Sequence, residues 1–125
     1  MAMGRRCRPL PPVCPRYQRA AELVGRRWSA AVIRAALDGP VRFTEIRSSV
    51  PGLSARLLAE RLRELESSGI LERREHPGPP AVTEYRLTPK GEALTKVVRE
   101  LEAWAQRWDE QAFSEDRAQR GAETG

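Results

Sequence analysis

The stretch from Arg42 to Leu87 reads RFTEIRSSVPGLSARLLAERLRELESSGILERREHPGPPAVTEYRL, and its pattern decides the fold. Thr44 offers a side-chain oxygen to cap a short helix from Glu45 to about Ser49, with Phe43 and Ile46 pointing inward. Pro51-Gly52 then forces a turn, Leu53 plugs the core, and Ser54 caps a second helix. At about 100° per residue this helix carries Leu58, Leu62 and Leu65 on one side, with Leu57 on their flank. Arg56, Glu60, Arg63 and Ser67 fall opposite, with Ala59 beside them. Ile70 to Arg74 and Val82 to Leu87 read as two strands, the second alternating Thr83, Tyr85 and Leu87 against Val82, Glu84 and Arg86. Glu75 to Ala81, rich in proline, joins them as a hairpin tip. Helix, tight turn, helix and hairpin is the order of a winged helix-turn-helix: a mainly α chain with a small β-hairpin wing (α+β).

Downstream, Thr88-Pro89 opens a last helix, with Thr as cap and Pro at the first helical position. Leu94, Val97, Val98, Leu101, Trp104, Ala105, Trp108 and Ala112 continue at steps of three and four, a stripe on the order of 30 Å long. A small core cannot cover all of it. Its far end, Leu101, Trp104 and Trp108, is expected to pack against a second copy, on the partner's equivalent helix and an N-terminal helix that carries Tyr17. The alternative is a stripe that folds back on its own domain. Upstream, Trp28, Ala31, Val32, Ala35 and Leu37 mark a helix stopped at Asp38-Gly39-Pro40, and Val41 to Phe43 is long enough only for an edge strand. Tyr17, Ala20, Ala21 and Val24 mark an earlier helix ended by Gly25. Pro9, Pro11 and Pro12 break helices ahead of it. The expected organisation is a flexible basic arm over residues 1–13, one winged helix-turn-helix and dimerisation domain over 14–112, and a disordered tail over 113–125.

The chain has 125 residues, 22 Lys and Arg against 17 Asp and Glu, and a formal net charge of +5, a balance that favours a polyanionic partner without fixing the fold. The charge is unevenly spread. Arg5, Arg6, Arg8, Arg16, Arg19, Arg26 and Arg27 face a single acid, Glu22, in the first 27 residues, whereas the tail is acidic. Lysine occurs only at Lys90 and Lys96, a bias that suits bidentate phosphate and guanine contacts and is equally an outcome of genome base composition. No apolar run approaches the roughly 20 residues that span a bilayer, and the start lacks the apolar segment of a signal peptide, so a cytoplasmic protein is expected. Cys7 and Cys14 have no second pair with which to complete a zinc site. No metal or cofactor is expected. His76 is the only histidine and has no partner for a catalytic dyad, and no phosphate loop or paired acid and base is present, so an enzyme is not expected.

Double-stranded DNA is the expected partner. Ser54, Arg56, Ala59 and Arg63 would read bases or adjacent phosphates, the small Ala59 leaving room for close approach. Arg42 and Arg47 would hold backbone, and Arg73, Arg74 and His76 would serve from the wing, which proline stiffens. Each assignment has a plainer rival. Arg56, Glu60 and Arg63 are spaced to form a solvated, ion-paired face, and the wing needs no function as a loop. A winged helix can also bind protein alone; steep weakening with salt separates the two readings, because only a DNA binder releases counterions. A third reading places a small aromatic effector between Trp28, Trp104 and Trp108.

The segment from Cys14 to Trp108 resembles the HxlR-type transcriptional regulators, a branch of the MarR-like winged-helix proteins. The residues that carry the resemblance are Cys14-Pro15, Gly25-Arg26-Arg27-Trp28, Arg42-Phe43-Thr44-Glu45-Ile46, Val50-Pro51-Gly52-Leu53-Ser54 and Leu62-Arg63-Glu64-Leu65-Glu66. Gly69, Pro80-Ala81-Val82-Thr83-Glu84-Tyr85, Leu87-Thr88-Pro89-Lys90-Gly91 and Trp104 extend it. Gly25 to Trp28 has one residue more than the family's usual Gly-Lys-Trp, and the longer arm and Cys7 lie outside the pattern. The resemblance implies a homodimer on a palindromic operator, most often a repressor. It also implies a sensing role for Cys14 toward oxidants, quinones or aldehydes; Cys7, outside the pattern, is then a candidate disulfide partner within or between chains. Arg8 and Arg16 would favour the thiolate; a partly buried structural cysteine is the rival reading.

Overall fold

The computed structural model describes residues 9–108. Two helices lead the chain, α1 over Pro15–Gly25 and α2 over Ser29–Ala35. The two-residue strand β1, Val41–Arg42, runs into helix α3, Phe43–Ser49, and a turn leads to helix α4, Ala55–Ser67. Strands β2, Leu71–His76, and β3, Val82–Leu87, form the hairpin, followed by the short helix α5, Pro89–Glu92, and by α6, Thr95–Trp108. The three strands make one antiparallel sheet in the order β1-β3-β2. This is the winged helix-turn-helix expected from Arg42 to Leu87.

The core lies where α2, α3 and α4 meet the sheet. Leu58, Leu62 and Leu65 of α4 are buried against Val32 and Ile33 of α2, Ile46 of α3 and Leu71 of β2. Each such leucine contributes roughly 1.5–3 kcal/mol by leaving water. Trp28 is half-buried against this cluster and opens α2 from a left-handed backbone, φ 76°. The turn ahead of α4 closes under it: a Cβ on Gly52, itself at φ 87°, would stand 3.5 Å from the indole Cη2.

The Leu87-Thr88-Pro89-Lys90-Gly91 segment fastens the end of α4 to the C-terminal part. Thr88 caps α5 by accepting the Gly91 N–H at 3.1 Å, and its hydroxyl donates to the Gly69 carbonyl. Lys90 Nζ donates to the Ser68 carbonyl at 2.7 Å. Any Cβ on Gly91 would collide with the Ile70 carbonyl, so only glycine permits this approach.

Several expectations need correction. Thr44 is not the cap of α3: the helix begins two residues earlier than expected, at Phe43, and Glu45 Oε1 accepts the Arg42 backbone N–H at 2.8 Å. β2 continues to His76, which pairs with Val82, so Glu75 and His76 belong to the ladder and not to the tip. The last helix is not continuous from Thr88; it breaks at Ala93 and Leu94, leaving α6 with 14 residues, about 21 Å. In α1 the side chain packed on the core is Leu23, and no residue of that helix is fully buried. Cys7, Arg8, Ala112 and the tail lie outside the described residues.

Candidate nucleic-acid interface and thiol site

Helix α4 is divided by its own period. Leu58, Leu62 and Leu65 face inward, Arg56, Arg63 and Ser67 face solvent, and Ala59 and Glu60 lie half-buried between them. Ser54 Oγ accepts the Leu57 N–H at 3.1 Å, so this hydroxyl caps the helix and leaves its other early amides facing outward. Arg56 is 92% exposed, and its Nε stands 3.9 Å from Glu60, too far for a hydrogen bond. Arg42, Arg47 and Arg63 are exposed and enter no ion pair among the described residues. The solvated, ion-paired face is thus present only in part: Arg56 and Glu60 form a loose pair, and Arg63 has no partner among the described residues.

The wing is electrostatically different. Arg73 pairs with Glu75 at 2.8 Å, Arg74 and Arg86 each with Glu72 at 3.1 Å, and His76 Nε2 lies 2.8 Å from Glu84. The Arg74 and Arg86 hydrogen bonds hold the Glu72 carboxyl below its ordinary range. The ladder also separates these residues. Directly paired positions of an antiparallel sheet point to one side. Arg73, opposite Tyr85, thus shares the face of the buried pair Leu71 and Leu87, whereas Arg74 opposite Glu84 and His76 opposite Val82 lie on the other. Arg73 meets α4 in a shallow groove of about 130 Å³ lined by Phe43, Ala59, Arg63 and Tyr85. So Arg63 and Arg73 come together; Arg74 and His76 stand apart from them.

The sequence reading passed over Arg61. It is 7% exposed, on the leucine face of α4. Its Nε donates to the Arg27 carbonyl at 2.8 Å and its terminal nitrogen to both Glu64 oxygens at 3.2 Å, while Arg26 adds a second pair to Glu64 at 3.2 Å. The connection between α1 and α2 is thereby fastened to the back of α4. A signal existed: at about 100° per residue Arg61 sits about 60° from Leu58, inside the apolar sector.

Cys14 is exposed and stands at the N-cap of α1. The nearby backbone N–H groups of Tyr17, the larger effect, and Arg16 lower its thiol from the ordinary value. Arg16 therefore acts through its amide and not its guanidinium, and the thiol is not the partly buried one of the structural reading. Tyr17, Leu101, Trp104 and Trp108 are all more than half exposed, so this domain leaves the far end of the α6 stripe uncovered, whereas Leu94 and Val98 at its start pack on the core. Nor are the tryptophans gathered: Trp28 lines a cavity with Glu102, and Trp104 and Trp108 do not. Among the described residues no helix is long and apolar enough to cross a membrane.

A capped helix with an open arginine face, behind a tight turn and beside a hairpin, defines a winged helix-turn-helix transcriptional regulator. The family model for the HxlR-like helix-turn-helix matches residues 23–113. The uncharacterized HTH-type transcriptional regulator YvaP of Bacillus subtilis is 41% identical over 101 residues, 81% of this chain and 94% of that protein. The HTH-type transcriptional regulator YodB of Bacillus subtilis is 44% identical over 98 residues, 78% of this chain and 88% of its own. Among solved structures, the reduced form of YodB from B. subtilis superposes with a TM-score of 0.69 at 43% identity, covering 78% of this chain and 95% of that one. Its quinone-bound form gives 0.65 at 42% identity over 77% of this chain and all of that one. The redox regulator HypR in its oxidized form gives 0.71 at 32%, over 75% of this chain and 96% of its own. The chain belongs to the HxlR-like helix-turn-helix family.

Proposed function

We propose that this regulator is a cytoplasmic homodimer that represses transcription from a palindromic operator and is released when Cys14 is oxidised or alkylated. The observation that carries the reading is the division of α4 into a buried leucine face and an outer face with open Arg56 and Arg63. Arg56, Ala59 and Arg63 read base edges, Ser54 presents the capped amide end to a phosphate, and Arg42 and Arg47 hold the backbone. Arg73 adds to the α4 side, and Arg74 and His76 meet phosphate from the far face of the wing. Two-fold symmetry sets the half-sites about 10 base pairs apart, or a multiple.

Dimerisation rests on two elements that lack cover in one copy. Helix α1 has 11 residues and no fully buried side chain, and isolated helices under about 12 residues are marginal in water. Helix α6 exposes Leu101, Trp104 and Trp108. Each supplies what the other needs across the two-fold axis, with Tyr17 in the seam. Residues 14–112 form the dimerising domain, with the 1–13 arm and the 113–125 tail as appendages.

The exposed Cys14 thiol, lowered by two amides, supports the switch, as do the quinone-bound YodB and oxidized HypR to which the chain is similar. Cys7 is the disulfide partner under an oxidant, and a quinone adds to Cys14 directly. Selection of bound duplexes from a random DNA library by reduced protein, repeated after mild thiol oxidation, tests the whole. A palindrome that vanishes on oxidation for wild type and persists for Cys14→Ser is the expected result. No enrichment in either state would leave a protein-binding winged helix; a palindrome lost equally by Cys14→Ser would remove Cys14 from the switch.

A further inference from the structure

We propose that the cavity beside Trp28 is a binding site for a hydrophobic organic cation. The cavity measures about 520 Å³, within the range of small-molecule sites. Trp28, Val41, Ile46 and Val50 give it an apolar wall. Its ionisable groups are two carboxylates, Glu45 and Glu102, against one guanidinium, Arg34.

That guanidinium is already occupied. Arg34 Nε donates to Glu102 at 2.9 Å and its terminal nitrogen to Asp38 at 3.5 Å. Glu45 uses one oxygen to accept the Arg42 amide, and no cation neutralises it among the described residues. An anion entering here would meet two carboxylates and a spent arginine. A cation meets an open carboxylate together with an indole, the side chain whose face attracts cations best and which here already draws the Arg27 guanidinium to 5.2 Å from its centroid. On a chain of net charge +5, an acid-lined apolar cavity is a local reversal of sign. A compact aromatic or quaternary ammonium or phosphonium ion has the matching chemistry: apolar bulk for the wall and one diffuse positive charge for Glu45.

The position gives such a ligand leverage. The cavity is walled by α2, β1, α3, the turn at Pro51 and, through Glu102, by α6. Trp28 in turn rests over Gly52, just ahead of the α4 cap. A ligand that moves the indole or frees Glu102 from Arg34 changes how α4 sits relative to α6, so occupancy alters DNA affinity. This last step rests on the regulator reading; the site itself does not.

Titration calorimetry of the full-length protein with tetraphenylphosphonium, in the absence of DNA, tests the site alone. Saturable binding to wild type is expected. Glu45→Gln keeps the oxygen that caps α3, and it should bind about tenfold more weakly, as should Glu102→Gln. Glu66→Gln, which removes an acid outside the cavity, should bind as wild type does. Unfolding midpoints of the three variants identify any that is misfolded, and the remaining cavity variant then carries the comparison. No saturable binding to wild type, or equal weakening by Glu66→Gln, or wild-type affinity in the folded cavity variants, overturns the proposal. A duplex-binding assay with and without the phosphonium ion then reads the coupling separately: an unchanged DNA affinity overturns the coupling and leaves the site standing.

Discussion

The outer face of α4 with the neighbouring α3 and the wing each carry several arginines, yet the structure treats them oppositely. On α4 and α3, Arg47 and Arg63 have no carboxylate partner among the described residues and Arg56 only a distant one. On the hairpin, Arg73, Arg74 and Arg86 are each within 3.1 Å of a glutamate. A cation already paired must give up its partner before it can hold a phosphate. The difference teaches that counting basic residues near a proposed interface overstates what the wing offers and understates the contrast with α4. The groove where Arg63 and Arg73 meet is where the two regions join.

The buried side of α4 gives the largest effect. Arg61→Ala leaves the Arg27 carbonyl without its donor and strips Glu64 of one of its two arginines. A charge-assisted hydrogen bond is worth about 1.5–3 kcal/mol, so a loss of about 3 kcal/mol is expected for these bonds together. A lowered urea midpoint with unchanged slope would show it. A midpoint within experimental error of wild type would mean that Arg61 merely fills space. On the outer side, Arg63→Ala is expected to leave the urea midpoint alone and cost about 1–3 kcal/mol of discrimination between operator and mismatched duplexes. Equal weakening on every sequence would instead make Arg63 a phosphate contact and move base reading to Arg56 and Ala59.

Much of this was legible in the sequence because α4 obeys one period. Leu58, Leu62 and Leu65 announce the core face, Pro51-Gly52 the turn and Ser54 the cap, and all three signals are local. Gly91 was visible only as part of a motif; its reason is a long-range approach to the Ile70 carbonyl. The break between α5 and α6 escaped because Ala93 and Leu94 are good helix formers, and the bonds from Thr88 and Lys90 that tie α5 to the Gly69 and Ser68 carbonyls are a tertiary matter. Arg61 escaped for a different reason. Its place in the apolar sector was readable, but arginine is rarely buried without partners, and beside the nearby Glu64 its other partner lies 34 residues away in the backbone of Arg27. The pairing of the wing likewise depends on register, which sets Glu72 opposite Arg86 and Arg74 opposite Glu84.

The smallest effect expected is also the most direct test of the contrast between helix and wing. Glu72→Gln removes the carboxylate that holds Arg74 and Arg86, turning two paired cations into open ones. DNA affinity should rise by less than about tenfold, with a steeper dependence on salt by at most one or two released counterions. The rise should be equal on operator and random duplexes, because phosphate contacts carry no sequence information. Acid offers the same release without mutation. Glu72 is held low by its hydrogen bonds, first from Arg74 and then from Arg86, so its contribution to stability is present above the unfolded carboxylate pKa and is lost as pH falls through the lowered folded value. That window lies below about pH 4, so between pH 6 and 8 the Glu72 pairs with Arg74 and Arg86 persist. A Glu72→Gln protein that binds no better than wild type would show that the pairs yield to phosphate at no cost, and the distinction between the two regions would vanish.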